Sequence, residues 1–283
     1  MTNEQKQKAM RDKAKDLLAN GTVSYMIGWR QTRFPDRTAV FLIRDEADAK
    51  RLVWNEYTVA LTAKFLTDDR WPDNRIGVFA RGCDSKAINR LLRDNQVERK
   101  NLYIVGLPCE GKDDSRCRTC RRKDPLVYDE LLWEPVQAQA QGPELPRFFR
   151  VAEVEAFGAE DRFAYWEDVY ARCIRCYACR NACPVCTCRE CYVDMHRTGF
   201  QGKRHNAAEN RIFGITRAFH VGDRCIECGE CERACPMGLP ILGQTQKIIK
   251  TAEALTGGYE SGLNPEDDNF LGRFDLDDKD AFG

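Results

Sequence analysis

Cys173, Cys176, Cys179 and Cys183 stand in the spacing C-x2-C-x2-C-x3-C with Pro184 next, and Cys225, Cys228, Cys231 and Cys235 repeat it with Pro236 next. In such a run three closely spaced thiolates take three corners of a four-iron cubane. The fourth, before a proline that turns the chain, reaches the other cluster. By that rule Cys173, Cys176, Cys179 and Cys235 form one ligand set, and Cys225, Cys228, Cys231 and Cys183 form the other. Two [4Fe–4S] clusters are therefore expected. Zinc also takes four thiolates, but its sites usually split them into two CxxC pairs rather than a doubled triple. Apolar neighbours such as Ile174, Tyr177, Pro236, Met237 and Leu239 suit clusters shielded from solvent.

Three more cysteines follow the first run at once, Cys186, Cys188 and Cys191 in "CTCREC". Three thiolates need one further ligand, which His196 or Cys83 could supply. An additional cluster or a zinc ion is one reading; spare thiols or alternative cubane ligands are the other.

The chain has 283 residues, of which 15 are cysteine. A disulfide framework belongs to short secreted chains, and the opening MTNEQKQKAMRDK has no apolar run behind a basic start. The expected location is the reducing cytoplasm, with the cysteines bound to metal. Lys+Arg and Asp+Glu are both 44, which argues against a nucleic-acid binder, since these show a basic excess. No apolar stretch reaches the about 18 residues of a membrane span.

Hydropathy patterning divides the chain. Residues 3–19 read as a helix stopped at Gly21. "VSYMIGW", "TAVFLIR", "RIGVFARG" and "NLYIVGLP" read as strands, "DEADAKRLVWNEYTVALTAKFL" as a helix capped by Asp45, and "SKAINRLLRDNQ" as another helix. This alternation predicts an α/β domain over residues 1–150 with a partly parallel sheet. A dicluster ferredoxin domain of α+β type is expected over 151–255, and an extended acidic tail over 256–283. The tail suits either disorder or a segment that wraps a partner.

The first domain holds Cys83, Cys109, Cys117 and Cys120. In a parallel sheet the loops bearing Cys83 and Cys109 share the carboxyl edge, where α/β sheets place their sites. The CxxC loop of Cys117 and Cys120 can fold over it. A third [4Fe–4S] cluster is expected there, with zinc or unrelated thiols as alternatives. "GLPCEGKD" approaches the phosphate-loop pattern, but Asp113 replaces its Ser/Thr, so no nucleotide hydrolysis is expected. Ser85 and Lys86 open a helix whose N-terminus could take a flavin phosphate or a carboxylate; an N-cap by Asp84 or Ser85 is the plainer reading.

At these residues the chain resembles a known family. "RGCDSKAI", "VGLPCEG" and the loop CxxC are similar to the beta subunit of deazaflavin (coenzyme F420)-dependent hydrogenases and formate dehydrogenases. "RCIRCYACRNACPVCTCREC" and "DRCIECGECERACPMGLPI" resemble the dicluster ferredoxin modules of that group, also found with heterodisulfide-reductase-type complexes. The likeness covers most of residues 75–245. It implies that Cys83, Cys109, Cys117 and Cys120 ligate the beta-subunit cluster. It also implies a flavin and reduction of the deazaflavin coenzyme. Here, however, the α/β part spans about 150 residues and the ferredoxin follows it.

The expected function is an electron-transfer subunit. It would relay single electrons between a catalytic redox subunit (formate dehydrogenase, hydrogenase or heterodisulfide-reductase-like) and another redox partner. The alternative is a flavin-containing oxidoreductase reducing a deazaflavin or a nicotinamide. The three histidines suit a protein without acid–base machinery.

Overall fold

The computed structural model describes residues 1–67, 75–136, 142–195, 199, 201–202, 204–266 and 270. Among these, helix α1 (Asn3–Ala19) comes first. It is opened by a reciprocal pair of hydrogen bonds between Thr2 and Gln5. Met10, Ala14 and Leu17 recur on its inner face and are buried, the spacing of an amphipathic helix.

Strands β1 (Tyr25–Gln31), β2 (Thr38–Ile43), β3 (Ile76–Ala80), β4 (Leu102–Gly106) and β5 (Glu130–Leu131) form one sheet in the order β2-β1-β3-β4-β5. Only the β1–β2 pair is antiparallel; β1–β3, β3–β4 and β4–β5 run parallel, as the alternation predicts. The central strands are apolar on both faces. Phe79 and Val105 face α1 with Trp29, Trp54 and Trp133. Val78 and Ile104 face Ala87, Ile88 and Leu91 of helix α3 (Gly82–Arg93). Each of the buried Val, Ile, Leu and Phe side chains stabilises the fold by about 1.5–3 kcal/mol on burial.

The long helix expected after Asp45 does not form. Asp45 caps α2 as expected, accepting from the Asp48 N–H, but α2 (Glu46–Ala49) ends after four residues. The backbone beyond is used elsewhere. Val53 N–H donates to the Trp29 carbonyl, Trp29 Nε1 to the Ala60 carbonyl, and the Arg81 guanidinium to the Thr58 and Ala60 carbonyls. These groups satisfy the segment through tertiary partners, which overrides helix propensity.

The second half is built from α4 (Phe149–Glu155), α5 (Ala159–Ala171), α6 (Ala178–Ala182), α7 (Ala207–Gly222), α8 (Glu230–Arg233) and α9 (Leu242–Thr256). Helix α7 packs against α5 and α9, and α6 against α8. Among the described residues this half contains no strand, so the α+β expectation is corrected to helices and loops. Each cysteine run passes directly into a short helix, which leaves no alternating stretch to pair as strands.

The two halves are closely joined. Ile226, from the second cysteine run, sits in the apolar layer against α3. Glu260, Gly262 and Leu263, placed in the tail by sequence, contact α3. Glu260 ion-pairs Lys86, and Asn89 Nδ2 donates to the Gly262 and Leu263 carbonyls. Residues 267–269 and 271–283 of the expected tail lie outside the described residues.

Candidate metal centre

Both CxxCxxC loops fold alike. Arg175 (φ 46) and Tyr177 (φ 60) in the first correspond to Glu227 (φ 59) and Gly229 (φ 70) in the second. These left-handed residues turn the chain between cysteines and bend each loop around a common centre. Bulky side chains adopt such angles only where the surroundings hold them there. Tyr177 is held by an edge contact with Phe213, centroids 5.2 Å apart.

Cys173, Cys176, Cys179 and Cys235 line one cavity, covered by Ile174, Tyr177, Pro236, Met237 and Leu239. In the second set, the Cys183 thiol acts on the charge of Cys225, Cys228 and Cys231 alike. The fourth cysteine of each run thus lies beside the other run, Cys183 near Cys225, Cys228 and Cys231, and Cys235 on the cavity of Cys173, Cys176 and Cys179. Backbone N–H groups of Arg175 and Glu227 point at Cys173 and Cys225 respectively, the second at 3.4 Å. Such donors to sulfur are one way a protein tunes a cluster.

The N-terminal cysteines gather at the carboxyl edge of the sheet. Cys83 follows β3, and Cys109 follows β4. Cys83, Cys117 and Cys120 line one cavity, and the Cys109 thiol lies close enough to act on Cys83 and Cys117. Gly82 permits this: a Cβ there would stand 2.2 Å from the Arg122 carbonyl oxygen, just after the CxxC loop. The cavity is closed by Ile226, Glu227 and Cys228. The N-terminal set thus abuts the second ferredoxin set.

Burial pushes the thiols of Cys83, Cys225 and Cys228 up, and that of Cys231 up to about 12. Buried free thiolates are costly, whereas a metal that binds them deprotonates them outright. Among the described residues, no three Cys, His, Asp or Glu side chains converge closely enough to hold a single ion. Thiols spread around a cavity suit a cubane better than zinc, whose sulfur ligands lie about 2.3 Å from one centre. The residues present therefore fit iron–sulfur clusters.

Cys186, Cys188 and Cys191 line a third cavity with Lys64, Arg180 and His220. Cys186 shares a hydrogen bond with Cys183, which holds the Cys183 thiol below the usual range and Cys186 above it. His196, the other suggested ligand, lies outside the described residues.

Ser85 and Lys86 are engaged within the protein. The Ser85 hydroxyl donates to the Gly82 carbonyl and accepts from the Leu126 N–H, while Lys86 faces Glu260 at the cavity wall. Asp84 accepts from the Arg81 and Thr62 N–H groups. In the loop after β4, Lys112 stands 3.5 Å over the Trp54 ring, and burial pulls its ammonium down to about 8.

Two arginines escaped the sequence reading. Arg116 precedes Cys117 and pairs with Asp114 and Glu230; Arg217 lies on α7 between the ferredoxin sets. Neither belongs to a recognisable motif, and their roles depend on contacts across the chain.

Comparison with known proteins agrees with this geometry. The 4Fe-4S dicluster domain family matches residues 165–240. The F420-dependent formate dehydrogenase subunit beta of Methanocaldococcus jannaschii is 36% identical over 302 residues, covering 72% of this chain and 78% of that protein. The chain belongs to this beta-subunit family. The F420-dependent formate dehydrogenase 1 subunit beta of Methanococcus maripaludis is 38% identical over 113 residues, 38% of this chain and 27% of that protein. As a member of the family with a dicluster domain, the chain is an iron–sulfur, electron-transfer subunit of an oxidoreductase. Among the described residues no helix is long and apolar enough to cross a membrane.

Proposed function

We propose that this beta subunit relays single electrons through three [4Fe–4S] sites in sequence: the N-terminal set, the second ferredoxin set and the first. The supporting observation is the cavity that Cys83, Cys117 and Cys120 share with Cys228. Cys183 then links the second set to the polypeptide run of the first. Iron–sulfur clusters supply one-electron chemistry, while the protein supplies burial, spacing and docking. The chain's own residues hold the thiolates, cover them with apolar side chains and direct N–H groups at the sulfurs.

The catalytic partner on this reading is a formate dehydrogenase, hydrogenase or heterodisulfide-reductase-like subunit. We place the α/β relay domain at residues 1–150, the dicluster domain at 151–255 and a tail at 256–283. Cys186, Cys188 and Cys191, gathered on one cavity, are offered as a further metal site.

The second reading is a flavin-containing reductase of a deazaflavin or nicotinamide. It is favoured by the F420 dependence in the names of both relatives. Flavin content and coenzyme reduction, measured with a one-electron viologen donor on anaerobically purified protein, separate the two. The relay reading expects reduced clusters without stoichiometric flavin or coenzyme turnover. Stoichiometric flavin with turnover would overturn it.

A further inference from the structure

Arg217 is 7% exposed and lies on α7, where it lines both the cavity of the first ferredoxin set and the cavity of Cys186, Cys188 and Cys191. Its Nη2 donates to the Cys179 carbonyl at 3.2 Å. Its buried Nε has no hydrogen-bond partner among the described residues. The thiols nearest in effect are Cys231 and Cys183 of the second set, Cys186, and Cys179 of the first.

The other buried arginines among the described residues are differently placed. Arg81 pairs with Asp84 and Arg90 with Asp94. Arg217 forms no such pair among the described residues. A buried charge without an opposite charge costs several kcal/mol, so an anion beside it is required. A cubane held by four thiolates is a net anion, and more strongly so once reduced. A fixed positive charge near it therefore favours the reduced form.

We propose that Arg217 is the shared counter-charge of the two ferredoxin clusters and holds both midpoint potentials up. This rests on the two-cluster reading of the dicluster domain. The unpartnered guanidinium among thiols of both sets is the observation behind it. Its Nε–H is a buried donor without a protein partner among the described residues, available to a sulfur, while Nη2 bonds the Cys179 carbonyl.

The test uses the full chain, purified anaerobically, as native protein and as R217K, R217Q and R217M. Iron is counted first, and the clusters are then titrated with EPR detection. In R217Q and R217M holding native iron, the reduced-to-oxidised ratio of the ferredoxin signals at fixed potential should fall about tenfold. That equals about 59 mV for one electron. The N-terminal signal should stay in place, and R217K should recover most of the loss. Native midpoints in iron-replete R217Q or R217M would overturn the proposal. If both variants lose iron, R217K decides: retained iron with near-native midpoints supports a charge requirement, and loss in R217K as well overturns it. Native protein lacking the ferredoxin irons would instead refute the two-cluster reading itself, a result visible before any variant is titrated.

Discussion

Arg116 Nη1 donates to the carbonyl of Cys228 at 3.3 Å. Arg116 is bonded to Cys117, so one side chain ties a thiol of the N-terminal set to a thiol-bearing residue of the second ferredoxin set. The same guanidinium pairs with Asp114 and Glu230, and all three side chains are largely buried. Substitution by leucine leaves Asp114 without this partner and should cost about 3 kcal/mol. It should also loosen the N-terminal set from the second. Denaturant unfolding checks the first effect, and the magnetic coupling between reduced sites checks the second. Unchanged stability together with unchanged coupling would show that Arg116 joins nothing.

Gly229 sits at φ +70, and a Cβ there would meet Arg116 Cδ at 2.6 Å. G229A should lose about 1–2 kcal/mol from the left-handed backbone alone, with a further loss from the collision. Iron should fall first from the second ferredoxin set. Tyr177 holds the matching position of the first loop at φ 60, so Y177G relieves backbone strain, at the cost of the ring's contacts with Phe213 and Arg180 and its cover of the first cavity. An iron content in G229A equal to that of Y177G would count against this asymmetry.

Glu260 fastens the segment after α9 to α3. Burial raises its carboxyl, but Lys86 and Arg122 outweigh burial and hold it at about 2. An unfolded glutamate titrates near about 4.3. The contribution is therefore fully present above about pH 4.3 and is lost as pH falls through about 2. With its side chain 10% exposed, it amounts to roughly 2–3 kcal/mol. The stability difference between native protein and E260Q should shrink over that window; a difference independent of pH would contradict the assignment.

Cys186, Cys188 and Cys191 are tested together. The triple serine variant should lose iron beyond that of the three main sets, and keep their iron. Equal metal content in native and variant protein would leave these residues as thiols.

Much of this was legible in the sequence. The doubled cysteine spacing carried the dicluster domain over residues 165–240, because metal geometry dictates such spacing locally. The strand–helix alternation carried the parallel sheet, and with it the meeting of Cys83 with the CxxC loop at one edge. The segment after Asp45 was not legible, because its carbonyls answer to Arg81 and Trp29, distant in sequence. Arg116 and Arg217 were hidden for the same reason: a lone arginine shows its importance only when the chain surrounds it.

On the relay reading, the four N-terminal thiols hold a third cluster beside the dicluster domain. Iron and acid-labile sulfide, counted on anaerobically purified native protein and on C83S, test it most directly. The native protein should hold about twelve irons per chain, before any metal at Cys186, Cys188 and Cys191, and C83S about four fewer. About eight irons in both would contradict it, leaving a two-cluster ferredoxin joined to an α/β domain without a cluster of its own.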